Sequence, residues 1–193
     1  YSKGTVRSDS SYVGGVVGYI YGGIDSSYHI GGNVIGAGYV GGLVGYASSS
    51  VKSSYSEGDV IGMTYVGGLV GSGGAITKSY VKGSVVGDSS YVGGIIGYAK
   101  YNEDGIDSVY HIEGNVIGTN YVGGLAGYSG RSITNSYSMA FYVKGVDMVG
   151  GLVGQNKENI VASYFIGDSV IGNSEIGGLV GYVYNNGSVD SSY

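Results

Sequence analysis

Histidine is the residue type in this chain best suited to metal binding or acid–base chemistry, and it occurs twice, as His29 and His111. Both stand in the local sequence Tyr-His-Ile, within two nearly identical segments, 22–46 and 104–128. If these segments are equivalent coils of a repeat, three coils apart, the imidazoles are about 14 Å apart and cannot share one metal ion. We therefore expect both histidines to be structural and the chain to have no metal site.

The densest acidic stretch lies in the segment 100–105, which carries Glu103 and Asp104, with Asp107 just beyond it. A pair of carboxyl groups in such a loop is the arrangement of glycoside hydrolases, and several carboxylates together suit Ca²⁺. The spacing matches neither an EF-hand loop nor the aspartate-rich nonapeptide of calcium-binding β-rolls. We therefore expect no enzyme activity and no cofactor. Asn186-Gly187-Ser188 fits an N-glycosylation acceptor, a pattern that arises easily by chance.

The composition excludes several classes of partner. Charged residues make up 12% of the chain and the net charge is −5, so no basic stripe exists to neutralise a phosphate backbone. Nucleic acid is not an expected partner. Glycine interrupts every apolar stretch before it reaches the roughly 18 residues of a membrane-spanning helix, so we expect no membrane insertion. The absence of cysteine excludes disulfides and thiolate metal sites.

The pentad Gly-Gly-aliphatic-aliphatic-Gly occurs seven times and organises the whole chain. Its copies begin at Gly14, Gly41, Gly67, Gly93, Gly123, Gly150 and Gly177. A regular period in this range is typical of repeat proteins, in which each unit buries its apolar face against its neighbours. We therefore expect residues 1–193 to form a single repeat domain.

Each repeat contains three short segments rich in β-branched and aromatic residues, exemplified by 24–28, 34–35 and 39–46. Gly, Ser, Asn and Asp separate them, which is typical of strands bounded by turns. A helix is disfavoured because every glycine in it costs about 0.8–1 kcal/mol relative to alanine. About 27 residues at about 3.3 Å each suffice for one closed coil. The prediction is an all-β fold, a parallel β-solenoid (β-helix) of about seven three-sided coils.

Two positions of the repeat are always aliphatic and are expected to form the core. One precedes the pentad and the other is its third residue. In the middle five coils they are Val40, Leu43, Val66, Leu69, Val92, Ile95, Val122, Leu125, Val149 and Leu152. The fourth pentad position, such as Val44, is aliphatic as well. Either both sides of this strand are covered or the paired glycines turn a corner, and the pattern allows both.

Tyrosine, with 22 copies, forms three series at fixed repeat positions. The most uniform series is expected to be a stack of rings, and its members are Tyr1, Tyr28, Tyr55, Tyr80, Tyr110, Tyr137, Tyr164 and Tyr193. The other two series are the candidate contact surface. They comprise Tyr12, Tyr39, Tyr65, Tyr91 and Tyr121, and Tyr19, Tyr46, Tyr98, Tyr128 and Tyr182. Amphipathic rings in a row suit glycans or a neighbouring rod.

The sequence Tyr39-Val40-Gly41-Gly42-Leu43-Val44-Gly45, followed by Tyr46, resembles the GLUG motif of bacterial surface proteins, and the resemblance extends over all seven repeats. GLUG repeats are found in the non-catalytic parts of large secreted or wall-attached proteins, including adhesins and relatives of IgA-cleaving metallopeptidases. The resemblance therefore implies an extracellular or cell-surface repeat region. The His-Glu-x-x-His motif of such metallopeptidases is missing, since Ile30 and Ile112 follow the two histidines.

Together these features predict a non-enzymatic, structural and adhesive rod of a bacterial surface protein. Its expected partners are a host or cell-surface glycan or protein, or other copies of itself. The alternative is a subunit of a self-assembling extracellular filament that stacks end to end, since Tyr1 and Tyr193 lie at the same point of the repeat. An ice-binding solenoid would show a regular threonine array, and a polysaccharide lyase would show clustered acidic and basic residues. The sequence shows neither pattern.

Overall fold

The chain folds as a parallel β-solenoid of about seven turns, about 27 residues apart, which confirms the predicted fold class. The computed structural model describes residues 1–100, 105–184 and 187–193, and within them the only regular elements are β-strands. The strands form four sheets, in which each strand pairs with the equivalent strands of neighbouring coils. Along the chain, each coil passes through the four sheets in a fixed order, A, B, C and D.

Sheet A contains Ser2–Lys3, Ile24–Asp25, Tyr28–Ile30, Val51–Lys52, Tyr55–Glu57, Ile76–Lys82, Ile106–Ile112, Ile133–Thr134, Tyr137–Met139, Ile160–Val161, Tyr164–Phe165 and Val189–Asp190. Sheet B contains Val6–Arg7, Val34–Ile35, Val60–Gly62, Val85–Gly87, Val116–Ile117, Tyr142–Lys144 and Ser169–Ile171. Sheet C contains Val13–Gly14, Gly38–Gly41, Thr64–Gly67, Val92–Gly93, Asn120–Gly123, Asp147–Gly150 and Ser174–Gly177. Sheet D contains Val17–Ile20, Val44–Ala47, Val70–Gly73, Ile96–Ala99, Ala126–Ser129, Val153–Asn156 and Val180–Val183.

The pentad turns a corner, which decides between the two interpretations of its fourth position. The segment 39–46, expected to be one strand, is two strands on sheets C and D, with a bend at Gly42 and Leu43. At the bend the consecutive N–H groups of Leu43 and Val44 both donate to the Leu69 carbonyl, at 2.9 and 3.0 Å. The bend turns both side chains into the same core, so strict alternation does not apply. Each coil therefore contributes to four sheets, where three sides were expected.

Glycine is required at this corner because backbones approach each other closely there. A Cβ atom on Gly41 would collide with the Val44 carbonyl oxygen, and one on Gly42 would collide with the Gly68 carbonyl and the Ser56 hydroxyl. Neither glycine has a positive φ. The pentad is therefore a packing motif, in which even a methyl group is too large.

The left-handed conformation is found instead at non-glycine residues. The position two residues before the pentad has a positive φ in every coil, and its members are Tyr12, Tyr39, Tyr65, Tyr91, Tyr121, Met148 and Glu175. A second series, two residues before the stacked tyrosines of sheet A, comprises Ser26, Ser53, Lys78, Ser108, Asn135, Ala162 and Ser191. Sheet pairing skips Tyr39 while it includes Gly38 and Val40. Because each coil has its left-handed residue at the same position, the register stays one to one, and these residues change the direction of the strand in every coil alike.

The interior is divided into two apolar clusters. All ten predicted core residues are fully buried. Leu43, Val44 and their equivalents pack with Val51 and Ile76 of sheet A in one cluster. Val40 and its equivalents pack with Val34 and Val60 of sheet B in the other.

The connection from sheet D to sheet A differs in length between coils. It is two residues long after Gly73 and three residues long after Ala47, and the copy after Ala99 contains residues 101–104, which lie outside the described residues. This corner thus accepts one extra residue without a change in the strands that it joins.

Candidate functional site: the tyrosine wall

The eight tyrosines of sheet A form a continuous stack, as predicted, which we call the tyrosine ladder. The Tyr28 and Tyr55 rings are 4.8 Å apart between centroids and 1° from parallel, and each further neighbouring pair is also stacked. Sheet pairing keeps the rings in register, since Tyr55 lies beside Tyr28 and Tyr80. The ladder follows directly from identical residues on successive strands of a parallel sheet.

A second aromatic surface forms where sheets C and D meet, and we call it the tyrosine wall. Its first row comprises the left-handed residues Tyr12, Tyr39, Tyr65, Tyr91 and Tyr121, stacked at 4.6 to 5.1 Å between centroids. Its second row comprises Tyr19, Tyr46, Tyr98 and Tyr128, in two stacked pairs. The rows contact each other edge to face, as between Tyr91 and Tyr98 at 5.3 Å and 89°. The structure thus brings nine of the ten candidate tyrosines together.

Tyr182, the tenth candidate, contacts Tyr184 edge to face at 5.8 Å. Gln155 lies between it and Tyr128 on sheet D. Exposure also varies along the wall, because Tyr12 is 43% exposed and Tyr128 only 6%. The exposed fraction of the candidate tyrosines therefore differs between coils.

Three tyrosines of the wall, Tyr19, Tyr39 and Tyr91, have a raised pKa and are neutral at physiological pH. Burial raises the pKa of Tyr39 and Tyr91 above its usual value, and neighbouring phenols raise it further. A hydrogen bond with Tyr21 raises the pKa of Tyr19 to about 12. These three phenols keep their protons, so their hydroxyl groups both donate and accept hydrogen bonds.

Stacking decides which part of each ring is available for contact. A ring inside a row has both faces covered by its neighbours in the next coils. The wall therefore offers ring edges and hydroxyls, and face-on stacking with a sugar is blocked within a continuous row.

The two histidines are buried structural groups. His29 and His111 are fully buried and lie at the same sheet position, with Ser56 and Val81 between them. This confirms the predicted separation of three coils. The Nδ1 atom of His29 lies 2.7 Å from the Ser2 hydroxyl, and Nε2 of His111 lies 2.8 Å from the Gly83 carbonyl. Burial lowers the pKa of both imidazoles, because it disfavours the charged form.

Of the three acidic candidates, only Asp107 belongs to the described residues. Asp107 accepts hydrogen bonds from Thr134 and Asn135, at 2.6 and 2.8 Å, and from Ser108 at 2.9 Å. These bonds hold its pKa below the usual carboxyl value. Glu103 and Asp104 lie outside the described residues, as does Asn186 of the glycosylation pattern. Within the described ranges, no group of three or more His, Cys, Asp or Glu residues is arranged to hold a metal ion.

The sequence analysis missed an interruption in the second row of the wall. Ser72 pairs with Tyr46 on one side and with Tyr98 on the other, so one ring of the row is missing. The ammonium of Lys100 lies 2.7 Å from the Tyr46 hydroxyl and 4.7 Å from the centroid of that ring. The signal in the sequence was a serine at a repeat position that carries tyrosine in most coils. It interrupts a row only because the tyrosines of successive coils stack.

The part of the chain that the structure describes contains no helix long and apolar enough to cross a bilayer. Comparison with curated proteins and with solved structures gives no significant match. The family described as Glug, the GLUG motif, matches residues 36–61. That segment starts just after one strand of sheet B, passes through sheets C, D and A, and ends in the next strand of sheet B. The chain therefore contains the GLUG motif at residues 36–61, and one motif corresponds to one complete coil of the solenoid.

Proposed function

We propose that this chain is a non-enzymatic rod of an extracellular or cell-surface protein, which binds a glycan through the tyrosine wall. The observation that carries the proposal is the regular row of half-buried rings, each held in place by its neighbours. Stacking fixes these side chains before any ligand binds, so little conformational entropy is lost on binding. The GLUG motif and the solenoid fold are consistent with a repeat protein of this kind.

The chemistry of the exposed groups favours a glycan over a charged partner. The wall presents phenol hydroxyls and apolar ring edges at intervals of about 4.8 Å, the spacing of strands in a sheet. A polymer with repeating hydroxyl groups can hydrogen-bond to several rungs at once, and such multivalent contacts add up.

The purified protein, tested on a glycan array and on intact cells, provides the direct experiment. Tyr65→Phe removes one hydroxyl and keeps the ring stacked, so we expect it to weaken binding severalfold. Tyr55→Phe makes the same change in the tyrosine ladder and is the matched control, which should bind normally. Equal binding by both variants, or no binding by the unaltered chain, would contradict the proposal. If deletion of the repeats also leaves cell attachment unchanged, only a spacer role remains.

The extracellular location is tested separately. Antibody labelling of intact, unpermeabilised cells that produce the protein should detect the repeats. Labelling only after permeabilisation would contradict this part of the proposal and leave the glycan experiment unaffected.

Self-association of rods is the second candidate, and a stripe on sheet B favours it. The outward positions of successive strands carry an apolar row of Ile35, Ile61, Val86 and Ile117, followed by Lys144 and Ile171. Ile61 and Ile171 are 37% and 44% exposed. Sedimentation and electron microscopy should then show paired rods or filaments, which Ile61→Lys disperses. Monodisperse short particles at all concentrations would exclude this candidate.

A further inference from the structure

The connection from sheet A to sheet B is shorter in two neighbouring coils than in the coils on either side. It is three residues long after Ile30 and after Ile112, and two residues long in the two coils between them, where it consists of 58–59 and 83–84. The strands of both sheets keep a continuous register through these four coils. The two short connections therefore take a tighter path than their neighbours, and the surface is set back there.

The surface that is set back forms a recess of about 450 Å³. Its lining comes from these four connections and the strand ends beside them, together with Phe141 of the next coil. The volume lies within the range of about 300–1,000 Å³ that is typical of small-ligand pockets. Glycine is required in the lining, because Gly58 and Gly83 have positive φ values and a Cβ atom on Gly83 would collide with the Gly58 carbonyl. The recess is thus part of the packing of the corner.

The residues that the structure does not describe are too far away to fill this recess. Residues 101–104 and 185–186 belong to connections from sheet D to sheet A, at the other end of the sheet A strands. The strand Ile106–Ile112 separates Gly105 from the recess and is about 20 Å long at about 3.3 Å per residue. Four residues that are held at both ends extend at most about 9 Å from their anchors. The recess is therefore accessible whatever path these residues take.

Hydrogen-bond acceptors and a donor lie side by side in the recess. Oδ1 of Asp59 accepts from the N–H of Ser84 at 2.8 Å, and no group in the described part of the chain donates to Oδ2. The Lys82 ammonium lies 3.3 Å from the Glu113 carboxylate, and both side chains are about half exposed. A sugar hydroxyl both donates and accepts, so neighbouring hydroxyls can donate to Asp59 and accept from Lys82. Contacts between coils hold these side chains in place before a ligand binds.

Phe141 presents an aromatic face beside these polar groups. It is 54% exposed, and its N–H donates to the Gly114 carbonyl at 2.9 Å. Within the described ranges, no other aromatic ring contacts it. This differs from the tyrosine wall, in which rings of a row cover the faces of their neighbours. The apolar C–H face of a pyranose can therefore pack flat on Phe141 while its hydroxyls reach the polar side chains.

The charge of the lining discriminates between neutral and acidic sugars. The lining contains the carboxylates of Glu57, Asp59 and Glu113 and the ammonium of Lys82, which gives it two net negative charges. A carboxylate on the ligand would be repelled by this excess of like charge. The lining thus favours a sugar without an acidic group.

We propose that the recess between sheets A and B binds a single neutral pyranose unit. The C–H face of the sugar packs on Phe141, and its hydroxyls bond to Asp59, Lys82 and Glu113. The recess lies at a different corner of the coil from the tyrosine wall and recognises one ring, whereas the wall contacts a polymer through ring edges. The two sites are independent, so either can fail without the other.

Saturation-transfer NMR on the purified chain tests the proposal, with the methyl pyranosides of glucose, galactose and mannose as probes. We expect saturable binding of at least one of them, with the strongest saturation at the protons of its C–H face. The methyl glycoside of glucuronic acid should bind about tenfold more weakly because of its charge. Sorbitol has the hydroxyls without the ring and should not compete.

Three outcomes would overturn the proposal. The first is no saturable binding of any of the three pyranosides, and the second is equal binding of the glucuronide. The third is tighter binding of 1,5-diaminopentane than of every pyranoside, which would make the recess a site for cations.

Phe141→Ala removes the aromatic face and should weaken pyranoside binding by about tenfold. Tyr65→Phe alters the tyrosine wall and should bind the pyranosides as the unaltered chain does. If Tyr65→Phe loses the pyranoside and Phe141→Ala keeps it, the recess is refuted and the wall is supported. Circular dichroism reports whether Phe141→Ala is folded. If it is not, Phe141→Leu keeps an apolar side chain without the ring, and an unchanged affinity in this variant would equally refute the site.

Asp59→Asn tests the polar side of the recess. It keeps an acceptor for the N–H of Ser84 and removes one negative charge. We expect weaker binding of the neutral pyranoside and less discrimination against the glucuronide. Asp9→Asn makes the same change at an exposed position outside the recess and is the matched control. Equal effects of the two substitutions would show that Asp59 does not contact the sugar.

Discussion

The rings of Tyr28 and Tyr55 are parallel to within 1°, with centroids 4.8 Å apart, and Tyr80 covers the other face of Tyr55 at the same distance. Tyr55→Ala therefore removes two stacked contacts at once. Such contacts are worth about 0.5–1.5 kcal/mol each, so we expect the free energy of unfolding to fall by about 1–3 kcal/mol. Urea denaturation followed by circular dichroism measures the change. Phe141→Ala is the control, because Phe141 is 54% exposed and belongs to neither tyrosine stack, and a similar loss there would contradict the role of stacking.

Leu69 lies fully buried at the corner of a middle coil, in contact with the larger apolar cluster. Leu69→Ala should lower the free energy of unfolding by about 2–5 kcal/mol, as for other buried leucines. Glu175 is exposed, and Glu175→Gln should change stability very little. Comparable destabilisation by the two substitutions in urea would show that the assignment of inside and outside is wrong.

Ala162 is exposed and has a φ of 48°, a conformation that is costly for a residue with a Cβ atom. Glycine at this position avoids a conformational penalty of about 1–2 kcal/mol in the folded chain. Its greater freedom in the unfolded chain lowers the stability by about 0.5–1 kcal/mol. Ala162→Gly should therefore raise the free energy of unfolding by about 0.5–1 kcal/mol, measured as a higher melting temperature. Ala37 does not have a positive φ, so Ala37→Gly should lower the free energy of unfolding. If both variants are destabilised, the left-handed conformation of Ala162 does not carry the expected strain.

The buried histidines should make stability depend on pH. Their pKa values are lowered in the folded chain, whereas an unfolded histidine titrates near about 6.5. As the pH falls below about 6.5, the unfolded chain binds protons first, so stability is complete above that pH and is lost progressively below it. The urea midpoint should be lower at about pH 5 than at about pH 7.5.

His111→Val is the variant that checks this interpretation, because Val81 takes the same position in the preceding coil. It should reduce the pH dependence, and the additional substitution His29→Val should reduce it further. Asp107 does not interfere, since a carboxyl with a lowered pKa stabilises the fold above about pH 3.9 and loses this effect only in stronger acid. An unchanged pH profile in the double variant would exclude the histidines as its cause.

The pentads alone predict the coil number, the parallel stacking and the core, because a strict period places equivalent residues on top of one another. The corner at Gly42 and Leu43 is not predictable from alternation, since consecutive aliphatic residues are also typical of a strand covered on both sides. The left-handed conformation of Tyr39 is not predictable from the sequence, because tyrosine does not favour that conformation. The interruption at Ser72 is visible in the sequence as a missing tyrosine, yet only the sheet register shows that Ser72 lies between Tyr46 and Tyr98.

The corner between sheets D and A accepts connections of different length, so a coil can be lengthened there while the fold of the rod stays the same. Strands on both sides of this corner keep their pairing whether two or three residues join them. A guest peptide inserted after Ser49 would lengthen one exposed connection and leave every inter-coil hydrogen bond of sheets B and C in place. The same insertion in successive coils would carry its guests as a row spaced at about 4.8 Å, the distance between neighbouring strands. The solenoid can therefore serve as a scaffold that displays inserted sequences at a fixed spacing.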